Sequence, residues 1–404
     1  MGYQNTPKGE RLHIGIFGRI NSGKSSIINA ITEQELSIVS ETRGTTTDPV
    51  FKAMELLPLG PVVMMDTPGL DDQGELGRKR IEKTREVLDK SDLALIVVNA
   101  SEGMKEEDEA LIEELKGRKV PYIVVLNKMD LLLERPRLLT DRKNESVLPV
   151  SAKTMENIHD LKELMGKVMS TEKKEKKIIA DLILPKDIII LVVPIDSAAP
   201  KGRIILPQQQ VLREILDARA QAIVVQVEEL KDALSSINRK PKLVITDSQA
   251  FSGVKNIVPD DIELTSFSIL MARYKGNLHE AVKGAYLIRE LEEDASILIS
   301  EGCTHHKQCD DIGTVKLPQW IRNYTGKNFR FIHSSGTDFK ISEEDFDLVI
   351  HCGGCMLSER EMQSRIEKSL KKSIPLTNYG IAIAHMNGIL DRSIRFFMKE
   401  QEGS

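Results

Sequence analysis

Residues 18–25 read GRINSGKS, a segment whose composition and spacing could bind a chain of phosphates. Gly18 and Gly23 are separated by four residues, and Lys24 and Ser25 follow directly. In a loop with this spacing, backbone N–H groups surround the β-phosphate, the lysine reaches the β- and γ-phosphates, and the serine hydroxyl binds Mg²⁺. We therefore predict a nucleoside triphosphate site. Its predicted contacts here are Gly18, Arg19, Ile20, Asn21, Ser22, Gly23, Lys24, Ser25 and Ser26.

Two motifs further along the chain could complete the phosphate end of this site. Asp66 ends the apolar part of VVMMDTPG, where a carboxylate can hold Mg²⁺ through water and the N–H of Gly69 can approach the γ-phosphate. The segment ETRGTTTDP between the motifs is rich in Thr and Gly and is typical of a switch loop. We assign its Mg²⁺ contact to Thr46, with Thr45 or Thr47 as alternatives. The predicted catalytic residues are Lys24, Ser25, Thr46, Asp66 and Gly69.

The sequence NKMD at 127–130 and the sequence SAK at 151–153 could select the base. The carboxylate of Asp130 can accept both the N1–H and the 2-amino group of guanine. Adenine offers neither donor, and a site built to bond a particular group strongly rejects analogues that lack it. Each motif alone is a weak signal, but the set in this order predicts a GTP site. The predicted base contacts are Asn127, Lys128, Asp130, Ser151, Ala152 and Lys153.

All four cysteines lie in the last quarter of the chain: Cys303, Cys309, Cys352 and Cys355. Clustered cysteines in a large intracellular protein indicate metal binding or catalysis more often than disulfides. Cys352 and Cys355 form a C-x-x-C with two glycines between them, and Cys303 precedes Cys352 by 49 positions. A parallel pair of strands could therefore bring the two cysteine segments together.

Three kinds of site remain open from the residues alone. Cys303, Cys352 and Cys355 could hold an iron–sulfur cluster, whose fourth ligand could be His305, His351, Cys309, a carboxylate or an exchangeable group. The same residues could hold structural zinc in a Cys₃His shell. The C-x-x-C could instead act as a redox pair, which makes no use of Cys303. Reduced, buried cysteines without a ligand are the remaining alternative.

Alternating strands and helices must position these motifs. Between residues 10 and 170, apolar runs of strand length alternate with helical patterns such as Glu75–Leu88 and Glu106–Leu115, which predicts a mostly parallel sheet with helices on both faces. The predicted strands are Leu12–Phe17, Val62–Met65, Leu93–Val98, Tyr122–Leu126 and Val147–Val150. The charge run TEKKEKK at 171–177 marks a boundary.

The alternation resumes twice beyond this boundary. Residues 178–264 contain strand candidates such as Ile188–Val193 but no cysteine or phosphate loop, so we expect a spacer or an oligomerisation surface. After a predicted helix at Thr265–Tyr274, the strands Ser296–Ser300 and Asp345–His351 each run into a cysteine segment. Ligands of open α/β sheets bind at the carboxyl ends of strands. We predict an α/β chain of three domains, at residues 1–172, 173–264 and 265–404, of which the first binds GTP and the last carries the cysteines.

The charge balance and the amino-acid composition argue against nucleic-acid binding and against a membrane-spanning segment. The 404 residues carry 56 basic and 61 acidic side chains, a net charge of −5, and only 4% are aromatic. This balance argues against binding nucleic acid through bulk charge or aromatic stacking. No apolar run approaches the length of about 20 residues that a spanning helix needs. We therefore expect a cytoplasmic protein with no membrane or nucleic-acid partner.

The nucleotide motifs resemble those of the translation-factor-like GTPases, and most closely those of the tRNA-modification and Era-like branch. Leu70 follows DTPG, where Ras-like proteins have a glutamine that orients the attacking water, so slow intrinsic hydrolysis is expected. Asn21 occupies the loop position that in this branch helps to hold K⁺ near the phosphates. The resemblance thus implies a GTPase that K⁺ stimulates.

The cysteine motifs add a second resemblance. C-x-H followed by HCGGC, downstream of GRINSGKS and DTPG, is similar to the [FeFe]-hydrogenase maturation GTPases, as is NYGIAIAHMNG near Tyr379. This resemblance implies a middle dimerisation domain and a [4Fe–4S] cluster on Cys303, Cys352 and Cys355. His305 and His351 sit at family motif positions and need not be ligands, and Cys309 lies outside the motif.

That family acts as a scaffold and carrier that delivers a diiron precursor to apo-hydrogenase. The implied partners are a second copy of the chain or a higher oligomer, the [FeFe]-hydrogenase catalytic subunit and the radical-SAM maturation enzymes. An Era-like RNA-modification or ribosome-associated GTPase with a zinc-bound C-terminal domain is the alternative. A redox-sensing switch based on Cys352 and Cys355 is the third hypothesis.

Overall fold

The computed structural model describes residues 7–33, 50–67, 75–132, 147–172, 176–195, 204–302, 312–336, 339–342, 344–354 and 357–401. The chain divides into two compact units, residues 1–174 and residues 175–404. No helix among the described residues is long and apolar enough to cross a membrane.

The first unit contains a six-stranded sheet of order β2-β3-β1-β4-β5-β6. All neighbouring strands are parallel except β2 and β3, which form an antiparallel hairpin at one edge. The strands are β1 (Leu12–Phe17), β2 (Val50–Leu56), β3 (Gly60–Asp66), β4 (Leu93–Asn99), β5 (Tyr122–Asn127) and β6 (Val147–Pro149), and the helices are α1 (Lys24–Thr32), α2 (Glu75–Lys90), α3 (Glu106–Gly117) and α4 (Ile158–Glu172).

Helices cover both faces of this sheet, which is why its central strands are apolar throughout. Ile14 and Ile16 of β1 belong to a buried core that includes side chains of α1 and α4. Phe17 and Met65 belong to a separate core on the other face, with side chains of α2 and α3. This layered arrangement confirms the predicted α/β fold of the GTP-binding part.

The second unit contains two four-stranded parallel sheets, of order β10-β9-β7-β8 and β12-β11-β13-β14. The strands are β7 (Ile188–Val192), β8 (Gln221–Val225), β9 (Leu243–Thr246), β10 (Glu263–Ser266), β11 (Ser296–Glu301), β12 (Arg330–Ser335), β13 (Leu348–His351) and β14 (Leu376–Asn378). The helices are α5 (Leu206–Asp217), α6 (Leu230–Ser236), α7 (Phe251–Ile257), α8 (Phe267–Tyr274), α9 (Leu278–Leu287), α10 (Leu317–Thr325), α11 (Glu359–Lys371), α12 (Tyr379–Met386) and α13 (Leu390–Gln401).

The helix predicted from Thr265 begins two residues later. Thr265 and Ser266 belong to β10, and α8 starts at Phe267. The hydroxyl of Ser266 accepts a hydrogen bond from the N–H of Ile269 at 3.2 Å. Such an N-cap satisfies an N–H group that has no partner within the helix, so it fixes the start of the helix.

In both sheets of the second unit, the first strand in chain order lies between the second and the third. The chain therefore leaves β11 towards β12 on one side and leaves β13 towards β14 on the other. Connections that diverge from two adjacent strands open a crevice at their carboxyl ends, where ligands of α/β proteins bind. The second of these crevices lies between β11 and β13, immediately before the predicted cysteine ligands.

Candidate functional site

The phosphate loop joins β1 to α1, as the sequence predicts. Gly23 has a φ of 94°, in the left-handed region, and a Cβ at this position would lie 2.3 Å from Nδ2 of Asn127. Only glycine allows this backbone conformation together with this close contact. Asn21 also has a positive φ, of 61°, and Ile20 is 46% exposed. The loop thus curls tightly before the first turn of α1.

Three side chains converge at the phosphate end. The Lys24 Nζ donates hydrogen bonds to the carbonyls of Gly18 at 2.8 Å and Arg19 at 3.0 Å. The Ser25 hydroxyl donates to Oδ2 of Asp66 at 3.2 Å. Burial raises the pKa of the Asp66 carboxyl above its usual value, although the Lys24 charge and the Ser25 hydrogen bond oppose this shift.

The described residues at this point fit a Mg²⁺ ion. The second carboxylate oxygen of Asp66, Oδ1, is buried and has no hydrogen-bond partner among the described residues. A buried oxygen without a donor, beside the hydroxyl of Ser25, is the hard oxygen environment that Mg²⁺ prefers. The predicted residues Thr46 and Gly69 lie outside the described residues, as does Leu70.

The Arg19 side chain turns away from the phosphate loop and into the protein, where it is 5% exposed. Its Nε donates to Oδ2 of Asp108 at 3.3 Å, its Nη1 to Glu102 at 2.8 Å and its Nη2 to the Gly103 carbonyl at 2.9 Å. Asp108 is completely buried, and burial raises the pKa of its carboxyl. The network ties the phosphate loop to the first turn of α3, and no motif in the sequence predicts it.

The two base-binding motifs, at residues 127–130 and 151–153, lie together at the end of the nucleotide site opposite the phosphates. The side chain of Asn127 donates to the Ser22 carbonyl at 3.2 Å and accepts from the Ala152 N–H at 3.1 Å. Oδ1 of Asp130 accepts from the Ser151 hydroxyl at 2.7 Å, which orients the carboxylate. A cleft of about 770 Å³ is lined by Gly23, Ser26, Asn29, Ala30, Glu33, Asn127, Lys128, Asp130, Leu131, Ala152, Lys153 and Met155.

The cysteine-bearing end of the third sheet brings two separate segments together. Residues Ser300 and His351 are paired in the register of β11 and β13, so Gly302 and Cys352 leave adjacent strands at the same edge. The Gly302 N–H donates to Sγ of Cys352 at 3.0 Å, and the Gly354 N–H donates to it at 3.4 Å. Two backbone donors directed at one sulfur suit a thiolate or a sulfur bound to a metal.

The positions of the other predicted sulfur ligands are not described. Cys303, His305, Cys309 and Cys355 lie outside the described residues. Gly302 and Gly354, which immediately precede Cys303 and Cys355, are the two residues whose N–H groups reach the sulfur of Cys352. No group of three or more potential metal ligands occurs among the described residues alone.

His351 is buried beside this sulfur, with both ring nitrogens engaged. Its Nδ1 lies 2.8 Å from the Cys352 carbonyl, and its Nε2 lies 2.9 Å from Nη1 of Arg365. Burial, reinforced by the Arg365 charge, lowers the pKa of His351 to about 3. The imidazole is therefore neutral at physiological pH.

Three further contacts support the cysteine segments, and the sequence did not reveal them. The buried Lys275 donates to the carbonyls of Gly354 and Leu357, the latter at 3.3 Å. The Tyr379 hydroxyl donates to Glu301 at 3.1 Å. Lys275 and Tyr379 come from segments far from the cysteines in sequence, and no spacing links them to the cysteine motifs, so only the fold identifies these contacts.

The phosphate loop, the carboxylate at the end of β3 and the guanine-type base loops define the first 170 residues as a P-loop GTPase. A family model described as 50S ribosome-binding GTPase matches residues 13–128. The chain is 37% identical over 158 residues to the tRNA modification GTPase MnmE of Heliobacterium modesticaldum, which covers 38% of this chain and 33% of that protein. It is 33% identical over 178 residues to the GTPase Der of a Nitratiruptor species, covering 41% and 38%.

The chain thus spans about a third of the length of these curated relatives. A solved structure of Aquifex aeolicus Era bound to GDP and aluminium fluoride is 19% identical, with a TM-score of 0.35, over 56% of this chain and 98% of that one. Two models described as the hydrogen maturase F dimerization and tetramerization domains match residues 178–276 and 279–396, together more than half of the chain. The chain belongs to the hydrogen maturase F family, and it carries domains for self-association.

Proposed function

We propose that this protein is a GTP-hydrolysing scaffold that holds a [4Fe–4S] cluster on Cys303, Cys352 and Cys355. It receives a diiron precursor and delivers it to apo [FeFe]-hydrogenase. Residues 1–172 bind GTP, residues 173–264 mediate dimerisation and residues 265–404 hold the cluster. The radical-SAM maturation enzymes and the hydrogenase catalytic subunit are its proposed partners in the cytoplasm.

We propose the following roles in hydrolysis for the residues at the phosphate end of the site. Lys24, which rests against two loop carbonyls, turns to the β- and γ-phosphates when GTP replaces those contacts. Ser25, Asp66 and Thr46 hold Mg²⁺, which when bound neutralises the charge that develops on the phosphates. The N–H of Gly69 approaches the γ-phosphate. Asn127 holds the phosphate loop against the base loop, and Asp130 reads guanine.

We propose that hydrolysis is slow and that K⁺ stimulates it. Leu70 provides no group to orient water, and the Asn21 amide could contribute to a K⁺ site at the phosphates. The φ of 61° at Asn21 suggests a clean variant, Asn21→Gly, because glycine keeps this backbone conformation while removing the amide. GTP turnover should be faster in KCl than in NaCl for the natural chain and equal in the two salts for the variant. A variant that still responds to K⁺ would refute the role of Asn21.

The cluster proposal rests chiefly on one contact, the hydrogen bond from the Gly302 N–H to the sulfur of Cys352. It places the residue before Cys303 directly at that sulfur, although 50 positions separate the two bonded residues. The Gly354 N–H, one residue before Cys355, approaches the same sulfur. The crevice between β11 and β13 supports the same location.

Anaerobic reconstitution with iron and sulfide tests the cluster. We expect a brown protein with equal iron and sulfide, and an EPR signal of a [4Fe–4S] cluster after reduction. Replacement of any one of Cys303, Cys352 and Cys355 by serine should reduce the iron content at least several-fold. Cys309→Ser is the matched control and should retain the iron, because Cys309 lies outside the motif.

The alternative functions predict different results in the same preparation. A colourless protein with one zinc per chain would favour an Era-like GTPase acting on RNA, with a structural zinc site. Two thiols at Cys352 and Cys355 that convert reversibly to a disulfide, without iron or zinc, would favour a redox switch.

Self-association gives the middle domain its proposed role. Strand β8 is an edge strand of its sheet, and among the described residues it pairs only with β7. Its Val224 is 45% exposed. An open edge presents unpaired backbone groups that a second copy can extend into a larger sheet. We propose that the dimer forms through this edge.

A further inference from the structure

Arg365 of α11 is almost completely buried beside the cysteine-bearing loops, at 4% exposure. Its guanidinium reaches the carboxyl ends of three neighbouring strands. Nη1 donates to the Ser300 hydroxyl of β11 at 3.2 Å and to Nε2 of His351 in β13 at 2.9 Å. Nη2 donates to the carbonyl of Gly336, just after β12, at 2.6 Å. One side chain therefore joins all three strand ends around Cys352.

The surroundings of the guanidinium fix its position. Glu361, one turn earlier on α11, accepts from Nη2 at 3.3 Å and is only 12% exposed. The ring of Phe339 lies 5.3 Å from the guanidinium carbon on another side. A buried cation is costly unless it is paired and its donors are satisfied. Arg365 meets these conditions in the orientation that also contacts His351.

This orientation determines which nitrogen of His351 carries the proton. A guanidinium can only donate, so Nε2 must accept with its lone pair. Nδ1 then carries the hydrogen and donates it to the Cys352 carbonyl at 2.8 Å. A neutral imidazole has one lone pair available to a metal, and here Arg365 occupies it. His351 therefore cannot act as a ligand while this contact exists.

We propose that Arg365 is a positioning residue of the sulfur site: it fixes the strand ends from which the cysteine loops leave and excludes His351 from the ligand set. The inference rests on the proposed function, since it concerns the group that the three cysteines hold. It assigns the fourth position to a group other than His351. The partners of Arg365 come from the ends of three strands, so the sequence motif HCGGC by itself leaves His351 as a candidate fourth ligand.

The tautomer of His351 tests the contact without any metal. In the apo full-length chain labelled with ¹⁵N-histidine, we expect His351 to be protonated at Nδ1 and not at Nε2, with the signal assigned by its loss in His351→Gln. Arg365→Met should release this preference, whereas Arg365→Lys, which keeps a cationic donor, should partly retain it. Lys371→Met, an exposed position on the same helix, is the matched control. Protonation of His351 at Nε2 in the natural chain would overturn the proposal.

Pulsed EPR of the chain reconstituted with iron and sulfide tests directly whether His351 is excluded from the cluster ligands. His351→Gln, whose amide oxygen can still accept from Arg365, should leave the ¹⁵N-histidine couplings in the pulsed EPR spectrum unchanged. Arg365→Met frees Nε2, so we expect a new imidazole coupling that disappears in the double variant Arg365→Met/His351→Gln. Iron retention in Arg365→Met should fall about tenfold or more, as is usual when a partner behind the ligands is lost.

The EPR couplings and the iron content distinguish failure of the Arg365 proposal from failure of the proposed cluster function. A coupling in the natural chain that His351→Gln removes would show that His351 is a ligand and would overturn the proposal while leaving the cluster intact. A natural chain that binds no iron would instead refute the proposed function. In that case the apo tautomer still decides whether Arg365 controls His351.

Discussion

Replacing Arg19 by methionine should loosen the junction between the phosphate loop and α3. Methionine keeps most of the apolar stem of arginine but removes its charge and its hydrogen-bond donors. Oδ2 of Asp108 would then accept only from the Lys105 N–H at 3.1 Å, because its other donor is Nε of Arg19. Oδ1 of Asp108 is already buried without a partner among the described residues. The change thus leaves a poorly compensated carboxylate in the core.

The size of the expected stability loss follows from the burial of the Arg19–Asp108 ion pair. The side chains of Arg19 and Asp108 are 6% and 0% exposed, so solvent screens their interaction weakly. Removing one partner of a buried ion pair costs about 3–5 kcal/mol. The contact with Glu102 adds little, because that carboxylate is 44% exposed. A local loss of this size should increase amide exchange of α3 by about two to four orders of magnitude.

Hydrogen exchange of the full chain measures the effect in peptides that cover α3 and β1–α1. The double variant Arg19→Met/Asp108→Asn should recover about 2 kcal/mol or more, because an amide costs less to bury than an unpaired carboxylate. Lys116→Met is the matched control: it breaks an exposed pair with Glu113 on the same helix and should leave exchange unchanged. The affinity for GDP should fall in Arg19→Met, because the Arg19 side chain anchors the phosphate loop to Gly103 and Asp108.

The pH dependence of the stability defect in Arg19→Met gives a second, independent test of the Arg19–Asp108 contact. The pKa of Asp108 is raised in the folded chain by burial, whereas the Lys105 N–H and Arg19 oppose that shift. A folded carboxyl with a raised pKa binds its proton more readily than the unfolded one, so its ionisation destabilises the fold as pH rises through the folded pKa. Removing Arg19 raises this pKa further. The defect of Arg19→Met should therefore shrink on acidification, and a defect that grows at low pH, or no defect at neutral pH, would refute the reasoning.

Four further outcomes follow from the sites. Asp130→Asn should weaken GDP binding about 100-fold or more and favour xanthosine diphosphate, as nucleotide titrations would show. Lys24→Ala should abolish GTP hydrolysis while iron and sulfide per chain stay unchanged, and iron loss would contradict the separation of the two sites. Because burial raises the pKa of Asp66, Mg²⁺-dependent GTP binding should weaken as pH falls, and Asp66→Asn should remove this dependence in Mg²⁺ titrations. Val224→Lys should shift the chain towards monomer in light scattering, whereas Gln221→Lys, already polar and exposed on the same strand, should not.

The sequence predicts the central strands well and misses four strands at sheet edges. Strands β2, β10, β12 and β14 each lie at an edge. Central parallel strands are covered on both faces and read as continuous apolar runs, whereas β2 alternates between exposed and half-buried positions and β14 has only three residues. A short edge strand is stabilised by its neighbour more than by its own composition, so its pattern is weak.

The two sites differ in how much the sequence reveals of them. The phosphate loop depends on residues within eight positions, whose spacing specifies the backbone by itself. The sulfur site depends on Arg365, Lys275 and Tyr379, which reach it from three separate segments. No local spacing encodes such contacts, because they arise only when the strands are placed side by side. The sequence therefore predicts the ligands better than the residues that position them.

The first turn of α12 explains why two matched domains form one compact unit. Tyr379 donates to Glu301 beside the cysteine loop, and the next residue, Gly380, packs against Ser268 of α8 and Ser248, which lie in the segment matched by the dimerization-domain model. A Cβ on Gly380 would lie 2.2 Å from Cβ of Ser268 and 2.5 Å from the Ser248 hydroxyl, so nothing larger than glycine fits. Ser248 follows β9 at the carboxyl end of that sheet. Consecutive residues of one helix therefore contact the end of β11 and the segment that follows β9, which joins the two matched domains into one unit.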